Sequence, residues 1–188
     1  MKKLNDTLST LKDEELMSIF IKNKDRQVFT LIYNRYYQSL YKFMVWCSGN
    51  TEIARDLSQN VFLKVYSKPE LYEASKNFKI WLFSVAKNHW KNELRRKTIA
   101  RKYFKESNDL IKFTDDPELT FSDIQVDKVR AIHNAMEKLS DIHKDVIVLK
   151  YSNNLTIQEI SQVLKCNEGT VKSRLFHAIK KLKETINK

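Results

Sequence analysis

Residues 155–182 read LTIQEISQVLKCNEGTVKSRLFHAIKKL, and their spacing predicts a helix, a tight turn and a second helix. Thr156 and Glu159 stand three apart, where a hydroxyl and a carboxylate can satisfy the free amides that open a helix. Ile157, Ile160, Val163 and Leu164 follow as an apolar stripe at spacings of three and four. CNEG at 166–169 interrupts the stripe. Asn167 is placed to cap the second helix, with Glu168 at its positive end.

The second helix sorts into two faces at about 100° per residue. Val171, Leu175, Ala178, Ile179 and Leu182 fall on one side; Lys172, Ser173, Phe176, His177 and Lys180 fall on the other. A plain helical hairpin with a solvated basic face would explain the charges. It would not explain a phenylalanine among them. A helix entering a DNA major groove uses an aromatic ring against thymine methyls, and Lys, Ser and His against phosphates and base edges. Arg174 lies at the flank, suited to a phosphate or an internal ion pair.

The rest of the chain narrows the function. Its 188 residues carry a formal charge of +11 and are 42% hydrophobic, enough to build cores. With only two glycines and two prolines, sheets with tight turns are disfavoured, and an all-α fold with short polar loops is expected. The longest apolar run, residues 43–47, is far short of a membrane span. The start, MKKLNDTLST, is basic without a following apolar segment, so no signal peptide or membrane insertion is expected and a cytoplasmic location is. Cys47 and Cys166 stand apart, as reduced, buried thiols. His89, His133, His143 and His177 lack metal-ligand spacing, and no glycine-rich phosphate loop or nucleophile–base order occurs. No catalytic residue, metal site or cofactor is therefore expected.

Taken in order, Ser9 or Thr10 can cap a helix over 11–23, with Leu16, Ile19 and Phe20 inward. Asp25 opens an aromatic-rich helix whose rings (Tyr33, Tyr36, Tyr37, Tyr41, Phe43, Trp46) suit the inside of a bundle. Gly49 and Asn50 end it. The next helix, 51–67, turns Ala54, Leu57, Val61 and Val65 inward. It leaves Asp56, Gln59 and Leu63 outward, a leucine among polar residues that suggests a protein-binding seam. After Pro69 and a loop through Asn77, a long helix spans 78–106. Phe78, Leu82, Val85 and His89 line one side; Lys87, Asn88, Lys91 and Arg95 line another, with Asn92 and Trp81 at its border. Charges for phosphate, amides for base edges and rings for stacking make this a second nucleic-acid face.

Charge divides the chain. Residues 1–106 hold 21 basic and 11 acidic residues, net +10; residues 107–122 are net −3; residues 123–188 are net +4. The acidic segment reads as a linker between two basic helical domains. Its Leu110, Ile111, Phe113, Leu119 and Phe121 are apolar enough to lie in a partner's groove. Beyond it Val126, Val129, Ile132, Ala135, Met136 and Leu139 keep helical spacing, and Ser140 can cap a helix over 141–152 that leads into the opening hairpin.

The residues ARDLSQNVF at 54–62, WLFSVAKN at 81–88 with Arg95 and Arg96, LTIQEI at 155–160 and GTVKSRL at 169–175 occur in the order and spacing of one family. The chain resembles the extracytoplasmic-function (ECF) class of bacterial RNA polymerase sigma factors over nearly its whole length. The resemblance implies a first domain, 1–106, that docks through Asp56, Gln59 and Leu63 on the β′ clamp helices of core RNA polymerase. The same domain would read and melt minus-10 DNA through Asn77, Trp81, Lys87, Asn88, Lys91, Asn92 and Arg95. A linker at 107–122 would thread the polymerase. A second domain, 123–188, would read minus-35 DNA through Lys172, Ser173, Arg174, Phe176, His177 and Lys180. The implied partners are core polymerase, its β subunit included, promoter DNA and an anti-sigma factor. Ser161 stands where the family often has alanine, and Lys87 where it often has arginine. A helix-turn-helix regulator with an N-terminal helical sensor domain is the alternative. It accounts for 123–188 but leaves the basic stripe of the first half unexplained. A DNA recombinase would need a nucleophile with arginines in a catalytic domain, which the helical, glycine-poor first half does not offer.

Overall fold

The computed structural model describes residues 8–104, 132 and 134–186, with side chains for 8–96, 132 and 134–186. The expectations for the linker, for Val126 and Val129, and for the side chains of residues 97–106 lie outside these. The described residues form helices and no strand.

Helix α1 (Asp13–Asn23) begins later than the sequence suggests, and its start is built differently. Ser9 and Thr10 belong to a separate helical turn at 8–10. Lys12 takes the capping position, its N–H donating to the Glu15 carboxylate at 2.8 Å. Asp13 then ties α1 to α2 (Arg26–Ser48): it accepts from Arg35 Nη1 at 2.7 Å and from the Tyr36 hydroxyl. Asp25 opens α2 by accepting from Gln27 N–H at 2.8 Å. Gly49, at φ 68°, closes it in the left-handed region where a side chain would clash. Asn50 opens α3 (Thr51–Ser67) by accepting from Ile53 N–H at 2.9 Å.

Helix α4 (Phe78–Phe104) starts on two caps: Asn77 Oδ1 accepts from Ile80 N–H and Glu14 Oε1 from Phe78 N–H, each at 3.0 Å. Its buried face is broader than the spacing of 78, 82, 85 and 89 suggests. Phe78, Leu82, Phe83, Ala86 and Trp90 are buried, whereas Val85 and His89 are only half-buried. The reason is a second neighbour, since α4 packs on α2 and α3 and also on a helix of the C-terminal domain.

The described part of that domain includes helical residues 132 and 134–137, where Ala135 and Met136 are buried, as is Leu139; Ile132, expected inside, is 48% exposed. Ser140 stands at the start of α5 (Asp141–Ile147), but its hydroxyl meets His143 Nδ1 at 3.1 Å rather than capping a backbone amide. The helix expected to continue through 152 widens into a π-turn, Val148–Ser152. The Asn153 N–H and Nδ2 both donate to the Val148 carbonyl at 3.1 Å, closing that turn. Helix α6 (Ile157–Leu164) carries the expected capping box: Thr156 N–H to Glu159 at 2.7 Å, and Glu159 N–H to Thr156 Oγ1 at 3.2 Å. Lys165, at φ 52°, turns the chain into α7 (Glu168–Ile186).

The two domains pack on each other. Helix α4 lies on α6, and α2 lies on α5 and the π-turn.

The two faces of α7 should fail differently. Leu175 is buried, so Leu175→Ala should cost about 2–5 kcal/mol. Phe176 is 66% exposed, so Phe176→Ala should shift stability by no more than about 0.5 kcal/mol. Thermal melts of both variants check this; the reverse order would mean α7 is rotated about its axis.

Candidate nucleic-acid interface

Val171, Leu175 and Ala178 are buried against α5 and α6, which fixes how α7 is rotated. Lys172, Ser173, Phe176, His177 and Lys180 consequently all lie exposed on its far side. The rings of Phe176 and His177 meet edge-on at 5.4 Å, and His143 of α5 lies 6.5 Å from His177. A short row of rings thus runs from the middle of α7 to the next helix. Burial lowers the His143 pKa from its ordinary 6.5, and repulsion from His177, Lys181 and Arg174 lowers it further. Arg174 departs from this face. It is half-buried, and its Nη1 donates to Cys166 Sγ at 3.8 Å, bracing the turn.

On α4 the expected residues separate. Asn88, Lys91, Asn92 and Arg95 are exposed along consecutive turns. Asn77 is exposed at the start of the helix, with its side-chain oxygen engaged as a cap. Trp81 is half-buried, its ring 5.2 Å from Tyr72 and 5.8 Å from Phe78. It is one wall of an aromatic cluster at the loop, not a free-standing platform. Trp90 is buried and takes no part in the face.

Lys87 does not join the stripe. Its Nζ reaches both carboxylate oxygens of Asp145 on α5, at 2.6 and 2.5 Å. Expecting Lys87 beside Lys91 on an open surface is therefore corrected: the second domain covers that end of the stripe. Nothing in the sequence marks Asp145 as its partner, 58 residues away.

On α3, Asp56, Gln59 and Leu63 share the outer face, and Leu63 is 63% exposed. Tyr66 extends this face by one turn, 37% exposed, with its ring 4.9 Å from Phe29. The spacing of 56, 59, 63 and 66 could have revealed Tyr66, but its aromatic character reads equally as core.

A helical bundle with a one-signed basic stripe, followed by a helix-turn-helix whose outer face is Lys, Ser, Phe and His, defines a two-part DNA-reading protein. Comparison with known proteins makes this specific. Residues 32–100 match the family model of sigma-70 region 2, and residues 129–182 that of sigma-70, region 4. The ECF RNA polymerase sigma factor SigM of Bacillus subtilis is 29% identical over 84% of this chain and 94% of its own length. SigW of the same organism is 26% identical over 88% and 92%. Among solved structures, the sigma factor RpoE of Bartonella quintana, crystallised with the anti-sigma factor NepR, shares the fold. Its TM-score is 0.74 at 22% identity, over 85% of this chain and 96% of that one. CnrH, in complex with the cytosolic domain of CnrY, aligns with TM-score 0.70 at 16% identity, over 93% and 97%. The chain belongs to the sigma-70 family of RNA polymerase sigma factors, in its ECF class. It is a transcription initiation factor that directs RNA polymerase to promoters. Among the described residues no helix is long and apolar enough to cross a membrane.

Proposed function

We propose that α3 docks the chain on core polymerase, that α4 and the loop before it read minus-10 DNA, and that α7 reads minus-35 DNA. The observation that carries this reading is the sorting of faces. On each of these helices the residues expected to meet a partner are, with the exceptions of Lys87, Trp81 and Arg174, the exposed ones, and the opposite face is core. Residues 1–106 and 123–188 form the two functional domains, with 107–122 as the linker through the polymerase. The chain works without catalytic chemistry of its own, in the cytoplasm, where promoter and polymerase are. An anti-sigma factor, as in the RpoE–NepR complex, is the further protein partner of this reading.

Docking is tested by Asp56→Ala and Leu63→Ser. Both side chains are exposed, so helicity by circular dichroism should be unchanged while affinity for core polymerase falls. Unaltered affinity would remove α3 from the interface.

For minus-10 DNA, neutralising Lys91 and Arg95 together should weaken binding to all promoters and flatten its salt dependence by about one unit of slope per lost phosphate contact. Substituting Asn88 or Asn77 should change base preference instead. A salt slope equal to the parent's would count against the stripe.

For minus-35 DNA, Phe176→Ala should lower transcription roughly ten- to a hundredfold from templates that depend on that element, the effect of about 1–3 kcal/mol of base discrimination. Templates without the element should be indifferent. An equal loss on both would make the ring structural.

A further inference from the structure

Lys87 is the one member of the expected minus-10 stripe that the fold hands to another anion. It projects from α4, one turn before Lys91 and two before Arg95, so a phosphate backbone lying along α4 would meet all three in succession. Lys91 and Arg95 are exposed there. The Lys87 side chain is 21% exposed and Asp145 10%, with both carboxylate oxygens on the ammonium. Around the pair, Phe43, Trp46, Cys47 and Trp90 of the first domain face Asp141 and Val148 of the second across a narrow gap. The seam joins two domains of the same charge sign, so general electrostatics opposes closure and one local pair of opposite charges favours it. Such a pair gives up much of its Coulomb attraction to desolvation, and both ions regain water when it opens. It therefore selects a geometry more than it welds one, and a polyanion can compete for the lysine.

We propose that the Lys87–Asp145 pair is an autoinhibitory latch: with the domains closed, Asp145 stands in for a DNA phosphate on Lys87, and minus-10 DNA gains that contact only when the second domain leaves α4. This rests on assigning the α4 stripe to minus-10 DNA. The device needs no second protein. It makes the free chain a weaker DNA binder than its charge implies.

Cys47 provides a reporter that needs no DNA. Its thiol lies in the seam beside Asp145 and Lys87, where burial, and after it the Asp145 charge, raise its pKa and slow its reaction, so rates are compared per thiolate, from the pH dependence of alkylation in each variant. In the full chain carrying Cys166→Ser, the rate of alkylation of Cys47 by N-ethylmaleimide is measured for the parent, for Asp145→Asn and for the exchanged pair Lys87→Asp with Asp145→Lys. Asp145→Asn should react about tenfold faster, as expected when about 1.4 kcal/mol of closing free energy is lost. The exchanged pair should return toward the parent rate, with helicity unchanged in both, which separates opening from unfolding. A promoter oligonucleotide with an unpaired minus-10 segment should bind Asp145→Asn several-fold more tightly, and adding Lys87→Met should abolish the gain. An unchanged Cys47 rate in Asp145→Asn overturns the latch. A faster rate without any gain in DNA affinity overturns its inhibitory role and leaves the minus-10 assignment standing. If neutralising Lys91 and Arg95 also leaves DNA affinity untouched, the minus-10 assignment itself fails, and the latch with it.

Discussion

Burial of α2 is the constraint to which the first domain answers. Its 23 residues contain neither glycine nor proline, and seven are aromatic. No single partner can cover rings spread so widely around one helix. Helix α3 supplies Phe62, 4.8 Å from Tyr33; α4 supplies Phe78 and Phe83, 5.4 and 5.5 Å from Tyr36 and Phe43. Each ring buries on the order of 150–250 Å² of surface. Tyr36 adds a polar tip that cannot be buried alone, and Asp13 of α1 accepts its hydrogen bond, which fixes α1 in turn. Where α2 ends, Trp46 and Cys47 face the second domain. The same aromatic surplus that assembles the first domain leaves apolar surface for the second to cover.

The second domain solves a different problem, which is how to hold α7 at fixed rotation. The capping box at Thr156 fixes where α6 begins, and the left-handed Lys165 fixes the angle at which the chain leaves it. Arg174 braces the turn from the far side through Cys166. Val171, Leu175 and Ala178 then admit only one rotation of α7. Lys172, Ser173, Phe176 and His177 are presented as a group because the residues between them cannot move.

What was legible in the sequence follows from range. Caps and breaks act within four residues, so Asp25, Gly49, Asn50, Thr156 and Glu159 could be read, and the ends of α2, α3 and α6 with them. One-faced helices could be read too: Leu63 and Phe176 are exposed because periodicity leaves them opposite a buried stripe. Two-faced helices could not. A period of 3.6 assigns α4 one narrow buried side, and Phe83, Ala86 and Trp90 were lost because α4 is covered from more than one direction: Phe83 packs on Phe43 of α2, and Trp90 faces the second domain. Ser140 was read as a backbone cap, but a histidine one turn on competes for its hydroxyl. The π-turn at Val148–Ser152 depends on Asn153 donating twice to one carbonyl, a geometry that hydrophobic spacing does not encode.

The identity of residue 87 bears on how the domains part. An arginine at this position is the informative comparison. A guanidinium offers a planar fork matched to two carboxylate oxygens and is weakly hydrated, so facing Asp145 it would hold tightly and gain little from water on release. An ammonium is a compact, strongly hydrated charge on a flexible stem. Opening the seam returns Lys87 to water at a favourable hydration energy, and the flexible stem lets the same charge follow a phosphate without a fixed approach angle. In the proposed latch a lysine would thus lower the cost of exchange between Asp145 and DNA, at the expense of the bidentate recognition an arginine would bring to either. Under the proposed latch, lysine in place of arginine at this position would weaken base-specific reading and make the contact reversible.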